Sequence, residues 1–228
     1  MTLRGYYAIL DVPPGESGNG WSAREHEHAV ERTTRLLAAR PCMLQIRAKG
    51  SRAADLAALA RAVLPAARAA GVPLCVNDRL DVALAVGAEA VHLGQDDLPL
   101  AEARAIVGGR LMLGISTHNP EQARAAIAGG ADYIGFGPIF ATTTKANPDP
   151  VVGIEGLREV VALARRGVVA AATLAAPVPV VAIGGITPQD VADIALAGAS
   201  AVALIRAVEE ATDPIGAGQA VNEAFGPR

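Results

Sequence analysis

Short runs rich in valine, isoleucine and leucine alternate along this chain with longer stretches rich in alanine, arginine and glutamate. The apolar runs span residues 6–11, 42–49, 73–78, 90–95, 112–117, 133–140, 178–186 and 201–208. Runs that are apolar on both faces are typical of parallel strands covered by helices, and the stretch 51–70 repeats its leucines and alanines at helical spacing. Eight β-then-α units predict an α/β fold, a single (β/α)₈ barrel, with a doubly wound open sheet as the alternative.

Composition limits the class of protein. With 51% hydrophobic and 19% charged residues among 228, the chain is too apolar for a disordered protein and long enough to bury one large core. A net charge of -3 argues against a general nucleic-acid binder, because such proteins neutralise phosphates with an excess of basic residues. No linker or charged block divides the chain. We therefore expect one domain over residues 1–228, with a Gly/Pro-rich loop near 12–21 and an insertion near 167–177.

The cysteines and two stretches of the chain predict a cytoplasmic protein without a membrane span. Cys42 and Cys75 lie inside apolar runs and lack the spacing of a disulfide or metal site, so we predict buried, reduced thiols. The first residues lead into a strand pattern and show no signal-peptide pattern. The stretch 167–189 contains no charge but three prolines, and we interpret it as a buried strand with a small-residue lead-in.

Polar side chains gather where the predicted strands end, which is where catalytic groups lie in such barrels. Gln45, Arg47 and Lys49 alternate at the end of the second strand, so they share one face. Charged groups on an inward face are costly in an ordinary core, which indicates a site. Lys49 and Lys145 are the only lysines among 20 basic residues, and both follow predicted strands. A lysine there suits phosphate as a compact charge, and it could also form a Schiff base.

Other strand ends suggest anion and metal chemistry. Gly184 and Gly185 precede a predicted helix start, which would let backbone N–H groups and the helix dipole face a phosphate, although paired glycines also form tight turns. Asp78 and Asp97 could hold Mg²⁺ through carboxylate oxygens, or act only in turns. His118 could take part in catalysis or form a loop hydrogen bond.

Six sequence blocks in a fixed order resemble the thiamine phosphate synthase family. They are LQIRAK at 44–49, NDR at 77–79, VHLGQDD at 91–97, GISTH at 114–118, the segment 130–145, and IGGI at 183–186. The resemblance runs from about residue 6 to residue 208. It implies a TIM barrel that joins a hydroxymethylpyrimidine diphosphate to a thiazole phosphate, carboxylated or not. The products would be thiamine phosphate and pyrophosphate, with CO₂ from the carboxylated substrate.

The resemblance also assigns roles to individual residues. The pyrimidine diphosphate would contact Tyr7, Gln45, Arg47, Lys49, Asn77, Ser116 and Lys145, and the thiazole phosphate would contact Thr142, Thr144, Gly185, Ile205 and Arg206. Of these, Arg47, Ser116 and Lys145 would be catalytic, and Asp78 and Asp97 would bind a Mg²⁺ cofactor. The implied partners are these small molecules, with neither nucleic acid nor membrane, and a homodimer is the candidate assembly.

The chain departs from the family pattern at three places, and three alternatives stay open. The departures are the long loop near 12–21, the extra segment near 167–176, and Arg206, where the family often carries a small hydroxyl residue. The nearest alternative is the related thiazole tautomerase, a group that lacks the metal aspartates and the pyrimidine-binding set. The others are a Schiff-base aldolase using Lys145 and a catalytically silent barrel that binds phosphate ligands.

Overall fold

The computed structural model describes residues 3–15, 20–142, 149–170 and 177–226. The strands are β1 (Gly5–Asp11), β2 (Met43–Arg47), β3 (Leu74–Asn77), β4 (Ala90–Leu93), β5 (Met112–Thr117), β6 (Tyr133–Phe136), β7 (Val180–Ile183) and β8 (Ala201–Leu204). The helices are α1 (Ala23–Ala38), α2 (Ala53–Ala69), α3 (Leu80–Val86), α4 (Leu100–Val107), α5 (Pro120–Ala128), α6 (Gly153–Ala170), α7 (Val191–Leu196), α8 (Arg206–Glu209) and α9 (Pro214–Ala224).

The strands close into a barrel. Each strand pairs in parallel with the next, and β8 pairs with β1. Parallel neighbours need a crossover connection, and α1 to α7 supply one after each of the first seven strands. The (β/α)₈ barrel predicted from the alternating pattern is confirmed, and the open sheet is excluded.

Two apolar layers follow from the alternation of side chains along each strand. Residues such as Tyr6, Leu44 and Val76 point outward and pack against the helices in the larger hydrophobic cluster. Residues one position along, such as Tyr7, Met43 and Cys75, form a smaller cluster inside the barrel. Apolar contacts fill the lower part of the interior, so polar side chains can gather only toward the carboxyl ends of the strands.

Capping residues define helix starts near these carboxyl ends. The side chain of Ser22 accepts the backbone N–H of Glu25, whose carboxylate accepts the N–H of Ser22 in return. Asn119 caps α5 by accepting the N–H of Gln122, as the sequence Asn119-Pro120 predicts. These caps satisfy N–H groups that the first helical turn leaves without partners.

The last strand is shorter than the sequence predicts. The expected strand 201–208 ends at Leu204, and residues 206–209 form the one-turn helix α8. The apolar run continues through Val208, but this side chain is buried under the helical turn and does not extend the sheet. The prediction was wrong because buried residues of a strand and of a short helix give the same apolar run.

Several further predictions have outcomes here. Cys42 and Cys75 are buried and free, as expected. The indole N–H of Trp21 donates to the carbonyl of Pro13 at 2.9 Å, which joins the two described ends of the Gly/Pro-rich loop, while residues 16–19 lie outside the described ranges. The expected insertion begins as the end of α6, and residues 171–176 also lie outside these ranges. Within the described chain, no helix is long and apolar enough to cross a membrane.

Candidate active site

A cavity of about 910 Å³ opens at the carboxyl ends of the barrel strands. The family resemblance assigned roles to fourteen residues, and twelve of them line this cavity. They are Tyr7, Gln45, Arg47, Lys49, Asn77, Asp78, Asp97, Ser116, Thr142, Gly185, Ile205 and Arg206. The other two, Thr144 and Lys145, fall outside the described residues. Residues from all eight strands or from the loops after them thus meet in one place, as the barrel geometry requires.

A chain of hydrogen bonds forms the floor of this cavity. The amide of Gln45 donates to the hydroxyl of Tyr7 at 2.8 Å, and that hydroxyl lies 2.9 Å from the hydroxyl of Tyr133. Tyr133 lies 3.1 Å from Nδ1 of His92, whose Nε2 lies 2.9 Å from Oγ of Ser116. Both tyrosines and Gln45 are buried, so these bonds replace contacts with water that folding removes.

The network continues through the imidazole of His92. Tyr7 accepts from Gln45, and the hydroxyls of Tyr7 and Tyr133 share the next hydrogen bond. Nδ1 of His92 shares a hydrogen bond with Tyr133, and Nε2 shares one with Ser116. Removal from bulk water lowers the pKa of His92 to about 4, so the ring is neutral at neutral pH.

Tyr133 and His92 are site residues to which the sequence pattern assigned no role. The signal that could have found them is register: both occupy inward positions of their strands, level with the assigned residues. Two glycines make room for them. A Cβ on Gly114 would lie 2.1 Å from Cζ of Tyr133, and one on Gly135 would lie 3.1 Å from Cε1 of His92.

Replacing Tyr133 by phenylalanine is expected to lower the free energy of unfolding by about 1–3 kcal/mol, because two buried partners lose their hydrogen bond. Tyr6→Phe is the matched control. Tyr6 is equally buried on the outer face of β1, and its hydroxyl finds no hydrogen-bond partner among the described residues. Its removal should leave stability unchanged or slightly raised. Equal losses in the two variants, measured by urea denaturation, would contradict the role of the network.

Both cations at the end of the second strand are paired with carboxylates. Nη1 of Arg47 donates to Oδ1 of Asp11 at 2.5 Å, and Nζ of Lys49 lies 3.6 Å from Oδ2 of Asp78. Arg47 is largely covered, whereas Lys49 remains 57% exposed at the rim. The positive charges are therefore held at the mouth of the cavity, where a phosphorylated ligand would enter.

Asp78 and Asp97 lie close together beside these cations. Asp78 has a left-handed backbone (φ 62°), which directs its carboxylate from the end of β3 into the cavity. Burial and the neighbouring charge of Asp97 raise the pKa of Asp78, and Lys49 opposes that shift. Asp97 accepts the N–H of Gly94 at 2.6 Å, so its own loop fixes it. Two carboxylates brought together at a partly buried site could supply two ligands to a cation.

The loop after β7 supplies the expected glycine pair. Gly184 and Gly185 have φ of 95° and 66°, and a Cβ on Gly185 would lie 2.4 Å from the carbonyl oxygen of Ala141. Side chains are therefore excluded at both positions. The capped helix start expected next is present: Thr187 and Asp190 form a capping box on the 3₁₀ turn Pro188–Asp190, which continues into α7. Because Asp190 already accepts the N–H of Thr187, an anion bound here would meet mainly the backbone N–H groups of the glycine pair.

His118 bridges two loops at the cavity wall. Its Nδ1 donates to the carbonyl of Gly137 at 2.6 Å, and its Nε2 lies 3.5 Å from Oδ2 of Asp149. Of the two roles that the sequence left open, these contacts favour the loop hydrogen bond, because both ring nitrogens are engaged by loop groups.

Comparison with known proteins identifies the family. The sequence profile described as thiamine monophosphate synthase matches residues 20–208. The chain belongs to this family. A thiamine-phosphate synthase from Anaeromyxobacter dehalogenans is 45% identical over 182 residues, which cover 80% of this chain and 76% of that relative. A thiamine-phosphate synthase from Chloroflexus aurantiacus is 50% identical over 146 residues, which cover 64% of this chain and 62% of that relative.

A solved structure shares the fold along nearly the whole chain. The thiamine phosphate pyrophosphorylase from Pyrococcus furiosus superposes with a TM-score of 0.78 at 29% identity, over 98% of this chain and 95% of that one. The resemblance of six sequence blocks to the thiamine monophosphate synthase family is therefore confirmed.

Proposed function

We propose that this barrel is a thiamine phosphate synthase, a transferase of thiamine biosynthesis that joins a hydroxymethylpyrimidine diphosphate to a thiazole phosphate. One observation carries the proposal: the residues with assigned roles that the structure describes, twelve in number, all line one cavity at the carboxyl ends of the strands. Membership of the family and the names of its curated relatives give the reaction class. The cavity volume of about 910 Å³ suits two small substrates bound side by side.

The residues have separate tasks in this reaction. The polar floor from Gln45 to Ser116 would hold the pyrimidine by hydrogen bonds. Cleavage of the bond between the pyrimidine methylene and the diphosphate leaves a methylene cation, which the thiazole nitrogen captures. Negative charge grows on the departing pyrophosphate, and Arg47, Lys49 and Lys145 would stabilise it. Holding the two substrates in one cavity supplies proximity for capture.

The charges at the mouth support a divalent cation as part of the site. Among the described residues that line the cavity, the acidic ones are Asp78, Asp96, Asp97, Asp149 and Glu210, and the basic ones are Arg47, Lys49 and Arg206. A lining with more carboxylates than cations would repel a diphosphate. A Mg²⁺ ion at Asp78 and Asp97 would cancel that excess of negative charge.

The ligand set fits Mg²⁺ in particular. The described residues contain no cluster of three or more His, Cys, Asp or Glu side chains suited to a metal ion. Mg²⁺ commonly takes only one or two carboxylates and fills its octahedron with water and substrate phosphate oxygens. Asp78 and Asp97 would therefore hold the ion beside the diphosphate, where it would supply charge neutralisation for the leaving group.

The proposal predicts metal-dependent product formation. The protein is mixed with both substrates and Mg²⁺, and thiamine phosphate and pyrophosphate are measured together with and without EDTA. We expect the two products in equal amounts and a loss of about 10²-fold or more in rate on chelation. Product formation that EDTA leaves unchanged would remove Mg²⁺ from the proposal, and folded protein that forms no product would refute the synthase reaction.

Asp78→Asn is the sharpest variant for the metal. Asparagine tolerates the left-handed backbone at this position, so the change removes charge without forcing a new conformation. We expect a higher Mg²⁺ requirement and a lower rate. Asp96→Asn removes the same charge one residue from Asp97, at an exposed position, and should keep the Mg²⁺ response of the wild type. An identical response of the two variants would argue against Asp78 as a ligand.

Three observations distinguish the synthase from the alternatives that the sequence left open. A thiazole tautomerase needs no pyrimidine-binding set, whereas Gln45, Asn77 and Ser116 all line this cavity. A Schiff-base aldolase would be trapped on Lys145 by borohydride with a carbonyl substrate. A silent barrel would bind phosphorylated ligands without turnover. The cytoplasmic location, the homodimer and the choice between carboxylated and decarboxylated thiazole stay predictions.

A further inference from the structure

Four charged residues form a continuous chain of contacts beside the cavity, and only the last of them, Arg47, lines the cavity and belongs to the set that the family resemblance assigned. It runs from Glu209 in α8 through Arg32 in α1 and Asp11 at the end of β1 to Arg47 at the end of β2. We call it the rim chain. The rim chain joins α8, which follows Ile205 on the proposed thiazole phosphate side of the cavity, to Arg47 on the proposed diphosphate side.

Arg32 makes the central contacts of the rim chain. Its Nε and Nη2 both bind the carboxylate of Glu209, the latter at 2.9 Å, in the two-pronged geometry that arginine forms with carboxylates. The same Nη2 donates to the backbone carbonyl of Asp11 at 2.9 Å. Both side chains of the pair are about four-fifths covered, at 17% and 18% exposure, so the pair is less screened than a surface salt bridge.

The helix that Arg32 holds cannot be stable alone. α8 has only four residues, Arg206–Glu209, and a single turn has little intrinsic stability. Buried Val208 and the fork from Arg32 to Glu209 anchor it. Ile205 and Arg206, at its start, line the cavity. The position of these cavity residues thus depends on an ion pair made on the far side of the turn.

The other end of the rim chain fixes Arg47. Asp11 and Arg47 are partners in the β1–β2 register, and the N–H of Val12 donates to the carbonyl of Arg47 at 2.8 Å, which extends the pairing past the strand. The carboxylate of Asp11 binds one guanidinium nitrogen of Arg47, and the arginine lines the cavity. A long side chain held in one rotamer loses less freedom when it binds an anion.

We propose that Arg32 and Asp11 are positioning residues that hold α8 and Arg47 in one geometry and so organise the two phosphate-binding sides of the cavity together. This rests on the proposed function for the identity of the substrates. It predicts different kinetic effects for three variants. Glu209→Ala raises KM for the thiazole phosphate, Asp11→Ala lowers kcat through Arg47, and Arg32→Ala does both, each by about tenfold.

Arg104→Ala is the matched control. Arg104 forms a comparable ion pair with Asp132 at 2.7 Å and also bonds backbone carbonyls, but it lies away from the cavity, at the amino end of β5 and β6. Its loss should reduce stability while KM and kcat stay within about twofold of the wild type. Where Arg32→Ala fails to fold, Arg32→Gln, which keeps a long polar side chain and removes the charge, takes its place, and circular dichroism checks each variant.

Pyrophosphate binding, measured by calorimetry, separates this inference from the proposed reaction, because it needs no turnover. We expect Asp11→Ala to weaken binding by about tenfold and Asp11→Asn, which keeps the acceptor oxygen, to bind within about threefold of the wild type. Tighter binding by Asp11→Ala would show that Asp11 only competes for Arg47 and would overturn the positioning role. Kinetic constants for Arg32→Ala that match those of Arg104→Ala would also overturn the positioning role. Wild-type protein that binds pyrophosphate but forms no thiamine phosphate would refute the reaction alone.

Discussion

Replacing Lys145 by alanine is expected to lower kcat by about 10²–10³, the usual loss when one preorganised electrostatic donor to a transition state is removed. Lys145 is one of only two lysines among 20 basic residues, and the family resemblance places it on the diphosphate. Its charge would act on the departing pyrophosphate, so the loss should fall mainly on kcat. The free energy of unfolding should change by less than about 0.5 kcal/mol, because the residue has no predicted place in the core.

Lys145→Arg distinguishes the electrostatic role from a Schiff base. Arginine keeps the positive charge and the hydrogen-bond donors, so part of the lost rate should return if Lys145 stabilises pyrophosphate. It cannot form a Schiff base, so an aldolase would lose all activity in both variants. Steady-state kinetics at saturating substrate measure the difference. Turnover equal to wild type in folded Lys145→Ala would remove this residue from the mechanism.

The fold could be predicted because one simple pattern repeats eight times. Apolar runs separated by helical stretches specify strand order and parallel pairing without any knowledge of distant contacts. Strand ends in a closed barrel must also meet on one rim, so the polar residues there were predictable as a group. Gln45, Arg47 and Asp78 illustrate this, since separate sequence segments bring them to one cavity.

The contacts between these groups could not be predicted in the same way. The hydroxyl of Tyr133 meets His92 only because two glycines leave space across the strands, and sequence does not show which ring fills a gap. Arg32 binds Glu209, which is 177 residues away in the chain. Glu209 lies on a helix that occupies the end of a run predicted as strand. Pairings at such separation depend on how α1 and α8 come together in the final fold, which no local pattern specifies.

Space inside the barrel, more than polarity, determines where the network can form. Gly114 faces inward on β5, and Tyr133 on the adjacent strand β6 fills the volume that its missing side chain leaves. Any side chain on Gly114 would therefore compete with the ring that connects Tyr7 to His92. The glycine is part of the site although it carries no chemical group.

Gly114→Ala should consequently be a damaging change although it adds only one methyl group. The new Cβ would lie 2.1 Å from Cζ and 2.4 Å from the hydroxyl oxygen of Tyr133, so the ring must move. Overpacking of this kind costs about 1–3 kcal/mol, and displacement of the hydroxyl adds the loss of its hydrogen bonds. We expect a lower melting temperature together with a higher KM for the pyrimidine diphosphate.

Gly109→Ala tests whether the effect comes from space or from the loss of a glycine as such. A Cβ at Gly109 would meet no atom of the described chain within 4 Å beyond its immediate neighbours, and the residue does not adopt a left-handed backbone. Alanine there should therefore change stability by less than about 0.5 kcal/mol or raise it slightly. Combining Gly114→Ala with Tyr133→Phe gives a second check. If both act through the same hydroxyl, their effects on KM should be less than additive, whereas fully additive effects would mean that Gly114 and Tyr133 contribute independently.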